Sequence, residues 1–164
     1  MVPHFLNYQF VIAGVSSLDK SLYKDIIGTT DVFLVENQTY ELLQNSSAAL
    51  VTSGTATLET ALFTVPEVVC YKATDFSYRL AKWMIKVKFI SLVNLVMDRE
   101  VVKELIQGDL TEDNLLKELD QLLHNSKRQR RMLEDYDELR DRLGNAGASE
   151  KAADIILETM MTRK

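Results

Sequence analysis

Leu50-Val51-Thr52-Ser53-Gly54-Thr55-Ala56-Thr57-Leu58-Glu59 is the stretch on which the reading of this chain turns. A short apolar run ends at Thr52 and a small hydroxyl-rich turn with one glycine follows. From Thr55 the residues read as a helix, with Leu58, Ala61 and Leu62 on its apolar side. A strand that empties through such a turn into a helix leaves first-turn N–H groups without intrahelical partners, at the positive end of the helix dipole. A phosphate can sit there. Glu59, about one turn into the helix, can reach sugar hydroxyls from that position. The blander readings stay open at this point: Ser53, Thr55 and Thr57 as caps, and Glu59 as a partner of the helix dipole. No Gly-Lys-Ser or Gly-Lys-Thr follows, which excludes a P-loop, and a single glycine is not the dinucleotide fingerprint.

Working outward, residues 9–14 (Gln-Phe-Val-Ile-Ala-Gly), 31–35, 48–52 and 67–71 read as short, buried, parallel-type strands. Between them lie helical patterns at 17–27 with a serine available as cap, at 38–44 and at 55–63. The same alternation predicts a helix over 76–87, a fifth strand over 89–92 and a helix over 99–107. Alternating strands and helices with short connections predict an α/β fold: a parallel sheet of about five strands flanked by helices. Ligands of such sheets bind at the carboxyl ends of the strands, where Ser53 to Thr55 would lie. From Thr111 onward the patterns are all helical. Leu115, Leu119 and Leu122 mark a first stripe, Met132, Tyr136 and Leu139 a second, and Ala152, Ala153, Ile156 and Leu157 a last helix face turned inward. Residues 1–110 therefore form one domain and 111–164 a helical tail that packs on it or on a partner.

The chain has 164 residues, 46% of them hydrophobic, long enough for one core without a metal or disulfide. A net charge of −5 argues against a nucleic-acid binder, and the run Lys127-Arg128-Gln129-Arg130-Arg131 reads as a solvated face. The lone Cys70 sits in Val68-Val69-Cys70-Tyr71 and reads as a core residue rather than a nucleophile. His4 and His124 have no ligand-like neighbours, so no metal site and no cofactor is expected. No apolar run approaches the roughly 18 residues of a membrane span, and no secretory signal is expected.

Two further stretches carry chemistry. Between Tyr71 and Phe89 five basic residues face one acid, interleaved with aromatic and aliphatic side chains. Phe76, Arg79, Lys82, Trp83 and Lys86 there suit an anionic membrane surface, or equally an amphipathic core helix with snorkelling lysines. Asn94, followed by Arg99 and Glu100, reads as a strand end with a polar residue and then an ion pair opening a helix.

Taken together, the blocks 52–59, 68–71, 86–95 and 99–105, in this order and spacing, resemble the C-terminal part of the lipid-A-disaccharide synthases, over about residues 9–157. The resemblance implies the C-terminal, Rossmann-like half of a GT-B glycosyltransferase. That family transfers 2,3-diacylglucosamine from its UDP donor to 2,3-diacylglucosamine 1-phosphate (lipid X), with inversion and without metal. It implies that Ser53, Gly54, Thr55 and Thr57 line the diphosphate, that Glu59 binds ribose hydroxyls, and that Asn94, Arg99 and Glu100 stand at the cleft. It further implies a cytoplasmic enzyme, peripheral on the inner membrane. Val93 stands where the family usually has proline, and Cys70 where it commonly has glycine. The half with the acceptor site and general base is missing, as is the first strand of this domain with its loop, so an inactive, UDP-sugar-binding fragment is expected. Two other readings remain: a non-catalytic dimerisation or membrane-docking module, and a related UDP-sugar enzyme such as a UDP-N-acetylglucosamine 2-epimerase. The apolar stripes of the last helices suggest a homodimer through the C-terminal helices.

Overall fold

The computed structural model describes residues 1–52, 54–73, 88–144 and 147–162. The helix expected over 76–87 lies outside them. The four strands expected first are present as β1 (Phe10–Gly14), β2 (Val32–Glu36), β3 (Ala49–Thr52) and β4 (Glu67–Tyr71). Helices α1 (Lys20–Ile27), α2 (Thr39–Gln44) and α3 (Thr55–Leu62) connect them. Asp19, not a serine, caps α1, its carboxylate accepting from the Ser21 N–H at 2.8 Å. Pairing is parallel throughout, in two sheets: β1 with β2, and β3 with β4 and β5 (Lys103–Ile106), with β4 in the middle.

The fifth strand and the element before it correct the expectation from sequence. Residues 89–92 form no strand, and 99–107 form no helix. Instead Ser91 caps a short helix, α4 (Leu92–Met97), its hydroxyl accepting from the Asn94 N–H, and the chain turns at Asp98 into β5. Asn94 is the reason. Its side chain is wholly buried, and its carbonyl oxygen accepts from the N–H groups of Val101 (2.7 Å) and Val102 (3.0 Å). Its NH2 donates to the Val102 carbonyl and to Glu104 Oε1, both at 2.9 Å. The Glu104 carboxylate in turn accepts from the Ile90 and Ser91 N–H groups. One amide thus uses both donors and both acceptors to hold 101–102 extended beside α4, and ladder bonds to β4 complete the strand. Helical spacing of Val101, Val102 and Leu105 could not reveal a constraint that comes from a side chain seven residues upstream.

The helices α5 (Glu112–His124) and α6 (Ser126–Leu143) pack into the same core as the three-stranded sheet. Leu122, Met132, Tyr136 and Leu139 join Val68, Val69, Val93, Val102 and Leu105 there. The last helix, α7 (Ala148–Thr162), corrects a second expectation: Ala152, Ala153, Ile156 and Leu157 do not turn inward, because none of the described residues covers them. One feature of the core is costly. Glu67 at the start of β4 is fully buried, and neither its carboxylate oxygens nor the Tyr136 hydroxyl has a hydrogen-bond partner among the described residues. Burial raises the Glu67 carboxyl well above the ordinary range. Burial and the nearby Glu67 do the same to the Tyr136 phenol.

These observations set two stability measurements. Asn94→Ala strands two backbone N–H groups in the interior and lowers the unfolding free energy in urea by about 3 kcal/mol; a loss under about 1 kcal/mol contradicts the clamp. Glu67 keeps its proton in the folded chain at pH values where the unfolded chain has lost it. Its contribution is therefore present below the ordinary glutamate pKa and is lost as pH rises towards the folded value. Stability falls by about 1.4 kcal/mol per pH unit in that window, and Glu67→Gln flattens the slope.

Candidate functional site

Because every strand pair is parallel, the carboxyl ends of β3, β4 and β5 share one edge, and α3 springs from it. Gly54 precedes α3 with φ 129° and ψ −161°, a backbone conformation that L side chains rarely adopt. A Cβ there would meet no atom within 4 Å, so backbone conformation and not space calls for glycine. The Thr57 hydroxyl donates back to the Gly54 carbonyl at 2.8 Å, and the Thr60 hydroxyl donates to the Ala56 carbonyl, also at 2.8 Å. Both threonines are buried, so they stiffen the helix start from inside and do not cap it. No side chain among the described residues caps the α3 N-terminus, where Thr55 is exposed. Ser53, the remaining cap candidate, lies outside the described residues. Glu59 is half-buried on the second turn and makes no ion pair or side-chain hydrogen bond among the described residues.

A second support on this edge gave no strong sequence signal. Gln107 follows β5 with φ 51°, and its side-chain amide grips one peptide of the segment leaving β4. It accepts from the Ala73 N–H at 2.7 Å and donates to the Ala73 carbonyl at 3.0 Å. This two-way bond ties the exits of β4 and β5 together. The nearest hint was Gly108, which marks a turn after an apolar run.

The helix that carries Asn94, α4, packs against α3, while Arg99 and Glu100 pair elsewhere. All four hydrogen-bonding positions of Asn94 are taken by the chain itself. Arg99 and Glu100 precede β5, at the amino ends of the strands. The Arg99 guanidinium bridges Asp135 and Glu138 on α6, at 2.6 Å to each. Arg99 and Arg142 together hold the Glu138 carboxyl down to about 2. Glu100 pairs with Lys103 at 3.3 Å. Glu100, Lys103 and Asp135 border an open depression of about 370 Å³ between β5, α5 and α6, lined also by Arg131 and by Arg128, which pairs with Glu118.

Cys70 packs against the core, and burial pushes its thiol up to about 11, so it is no nucleophile at neutral pH. Phe76, Arg79, Lys82, Trp83 and Lys86 lie outside the described residues. No helix among the described residues is long and apolar enough to cross a membrane.

Comparison with known proteins places this geometry in a family. The sequence profile of the lipid-A-disaccharide synthetases matches residues 8–159. The chain is 39% identical over 152 residues to the lipid-A-disaccharide synthase of Syntrophus aciditrophicus, covering 91% of this chain and 40% of that protein. It is 39% identical over 133 residues to the enzyme of that name from Myxococcus xanthus, covering 81% and 34%. For Geobacter sulfurreducens the values are 32% over 156 residues, 94% and 41%. The chain thus spans about 40% of the curated relatives it matches. A match over nearly all its residues, on a parallel α/β fold, makes this chain a member of the lipid-A-disaccharide synthetase family.

Proposed function

We propose that the chain is the UDP-sugar-holding part of a glycosyltransferase of lipid A biosynthesis. That enzyme moves 2,3-diacylglucosamine from its UDP donor to 2,3-diacylglucosamine 1-phosphate. The single observation that supports this most is the start of α3 behind Gly54, which has no side-chain cap among the described residues and stands beside a Glu59 with no ion pair among them, in a member of this family. In the reaction the acceptor hydroxyl oxygen bonds to the anomeric carbon from the face opposite UDP. The bond from that carbon to the diphosphate oxygen breaks, and UDP leaves with the electron pair. N–H groups at the α3 start, with Ser53 and Thr55, meet the charge that develops on the diphosphate. Gly54 lets the backbone approach closely, Thr57 holds the turn from inside, and Glu59 accepts from the ribose hydroxyls. Asn94, Arg99 and Glu100 enter this reading as positioning residues, holding β5 and α6 behind the edge. The proton of the acceptor hydroxyl needs a base, and this chain supplies no candidate for one.

A second reading rests on α7, where Ile155, Ile156, Leu157, Met160 and Met161 are all more than half exposed. A non-catalytic module, dimeric through its C-terminal helices and held on the inner membrane by Trp83 and its basic neighbours, would keep that face and lose the nucleotide. Titration calorimetry with UDP separates the two. Saturable heat that weakens at least about tenfold, or about 1.4 kcal/mol, in Glu59→Ala supports the nucleotide site, whereas no heat from the intact chain ends it. The purified chain alone turns over no donor and acceptor lipid; turnover would place a base within it. Sedimentation with anionic vesicles that is lost in Lys82→Ala/Trp83→Ala supports membrane contact, and unchanged sedimentation removes it.

A further inference from the structure

We propose that the depression between β5, α5 and α6 is a binding site for a phosphate monoester group, held by Arg131 with Arg128 and Lys103. It lies towards the amino ends of the strands, whereas Gly54 and the α3 start lie at their carboxyl ends. The three cations come from two elements, β5 and α6, and border one recess of about 370 Å³. Val101 and Met132, both buried, give the recess an apolar floor, so a charge there is screened less than on open surface.

The sign of the ligand follows from the charges already engaged. Glu118 accepts from Arg128 at 2.6 Å, Glu100 from Lys103 at 3.3 Å, and Asp135 from Arg99 at 2.6 Å. Each carboxylate of the recess has a cation, which a metal ion or an ammonium group would have to displace. Arg131 is left over, with no ion pair or side-chain hydrogen bond among the described residues. Arg128 is only partly used. Its pair with Glu118 is sheltered, at 28% and 13% exposure, and engages one Nη. A guanidinium has five N–H donors, so Arg128 is fixed in place with donors to spare. Two guanidinium forks and one ammonium can meet three oxygens about a common centre. A carboxylate offers two in a plane; a phosphate monoester offers three, with a charge of about −1.5 to −2 at neutral pH. No aromatic ring lines the recess among the described residues, so a nucleic-acid base has nothing to stack on. Helix electrostatics agree. α5 opens with Glu112 and Asp113, as the helix dipole favours. α6 has no acid in its first turn, and Lys127, Arg128, Arg130 and Arg131 fall within its first two. That placement works against the dipole, and it raises the positive potential over the recess.

The test titrates the 164-residue chain with glycerol phosphate at low ionic strength, followed by backbone amide NMR, with sodium chloride as control. Saturable shifts are expected at residues 100–103 and 128–132, and none at 54–59. A second arm pellets the chain with phosphatidylcholine vesicles, with and without phosphatidic acid. Arg131→Gln keeps a good helix former at an exposed position and weakens binding about tenfold. Lys127→Gln with Arg130→Gln, both outside the recess, changes it by no more than about twofold. Pelleting that needs phosphatidic acid and is lost in Arg131→Gln assigns the phosphate to a lipid headgroup; saturable shifts without pelleting assign it to a soluble ester. The site is overturned if neither ligand binds, if chloride reproduces the shifts, if Arg131→Gln changes neither affinity, or if the outer pair weakens binding as much. Nucleotide binding is read at residues 54–59 and phosphate binding at this recess, so the loss of either reading leaves the other standing.

Discussion

Four hydrogen bonds from one buried amide organise the better-packed half of this protein. Asn94 holds the N–H groups of Val101 and Val102, the Val102 carbonyl and the Glu104 carboxylate, while Glu104 holds the N–H groups that open α4. A helix of six residues is marginal by itself, since nucleation costs more than so few bonds return. Tied in this way to β5 it becomes a fixed wall. Val93 and Met97 then pack into the core shared by Val68, Val69, Leu122 and Leu139. A buried network of this kind is stable only when every member is satisfied, and here it is. The contrast lies a short way off, where Glu67 and Tyr136 bring polar atoms into the same core without partners.

The two ends of the three-stranded sheet do different work. Towards the amino ends, charge is answered by charge: Arg99 with Asp135 and Glu138, Lys103 with Glu100, Arg128 with Glu118. Such exposed or half-exposed pairs contribute little each. At the carboxyl edge the balance reverses. The α3 start has no described cap, Glu59 has no described partner, and Gln107 fixes the exit of β4 without closing over it. An open edge held by inward-turned threonines and a stapled loop is a prepared surface.

Much of this was legible in the sequence. The strands at 10–14, 32–36, 49–52 and 67–71 announce themselves as short β-branched runs between turn residues, because strands buried in parallel sheets have little besides apolar side chains to show. The Gly54 turn was legible too, since only glycine adopts its backbone conformation readily. Arg99 and Glu100 were read as one charged pair, yet each found its partner elsewhere, Arg99 on α6 and Glu100 on Lys103, because ion pairs form across space and not along the chain. Gln107 carries no local signal for the same reason: its partner, Ala73, is 34 residues away.

Residue by residue, then, the chain determines its local alternation of strand and helix, its glycine turn and its family, since these depend on neighbours a few positions apart. Tertiary contact decided the rest. Residues 103–106 became a strand because β4 offers a ladder and Asn94 holds the approach. The α7 stripe stayed outside because none of the described residues reaches it. The described strands pair in two parts, β1 with β2 and β3 with β4 and β5, an arrangement that no strand's own residues announce.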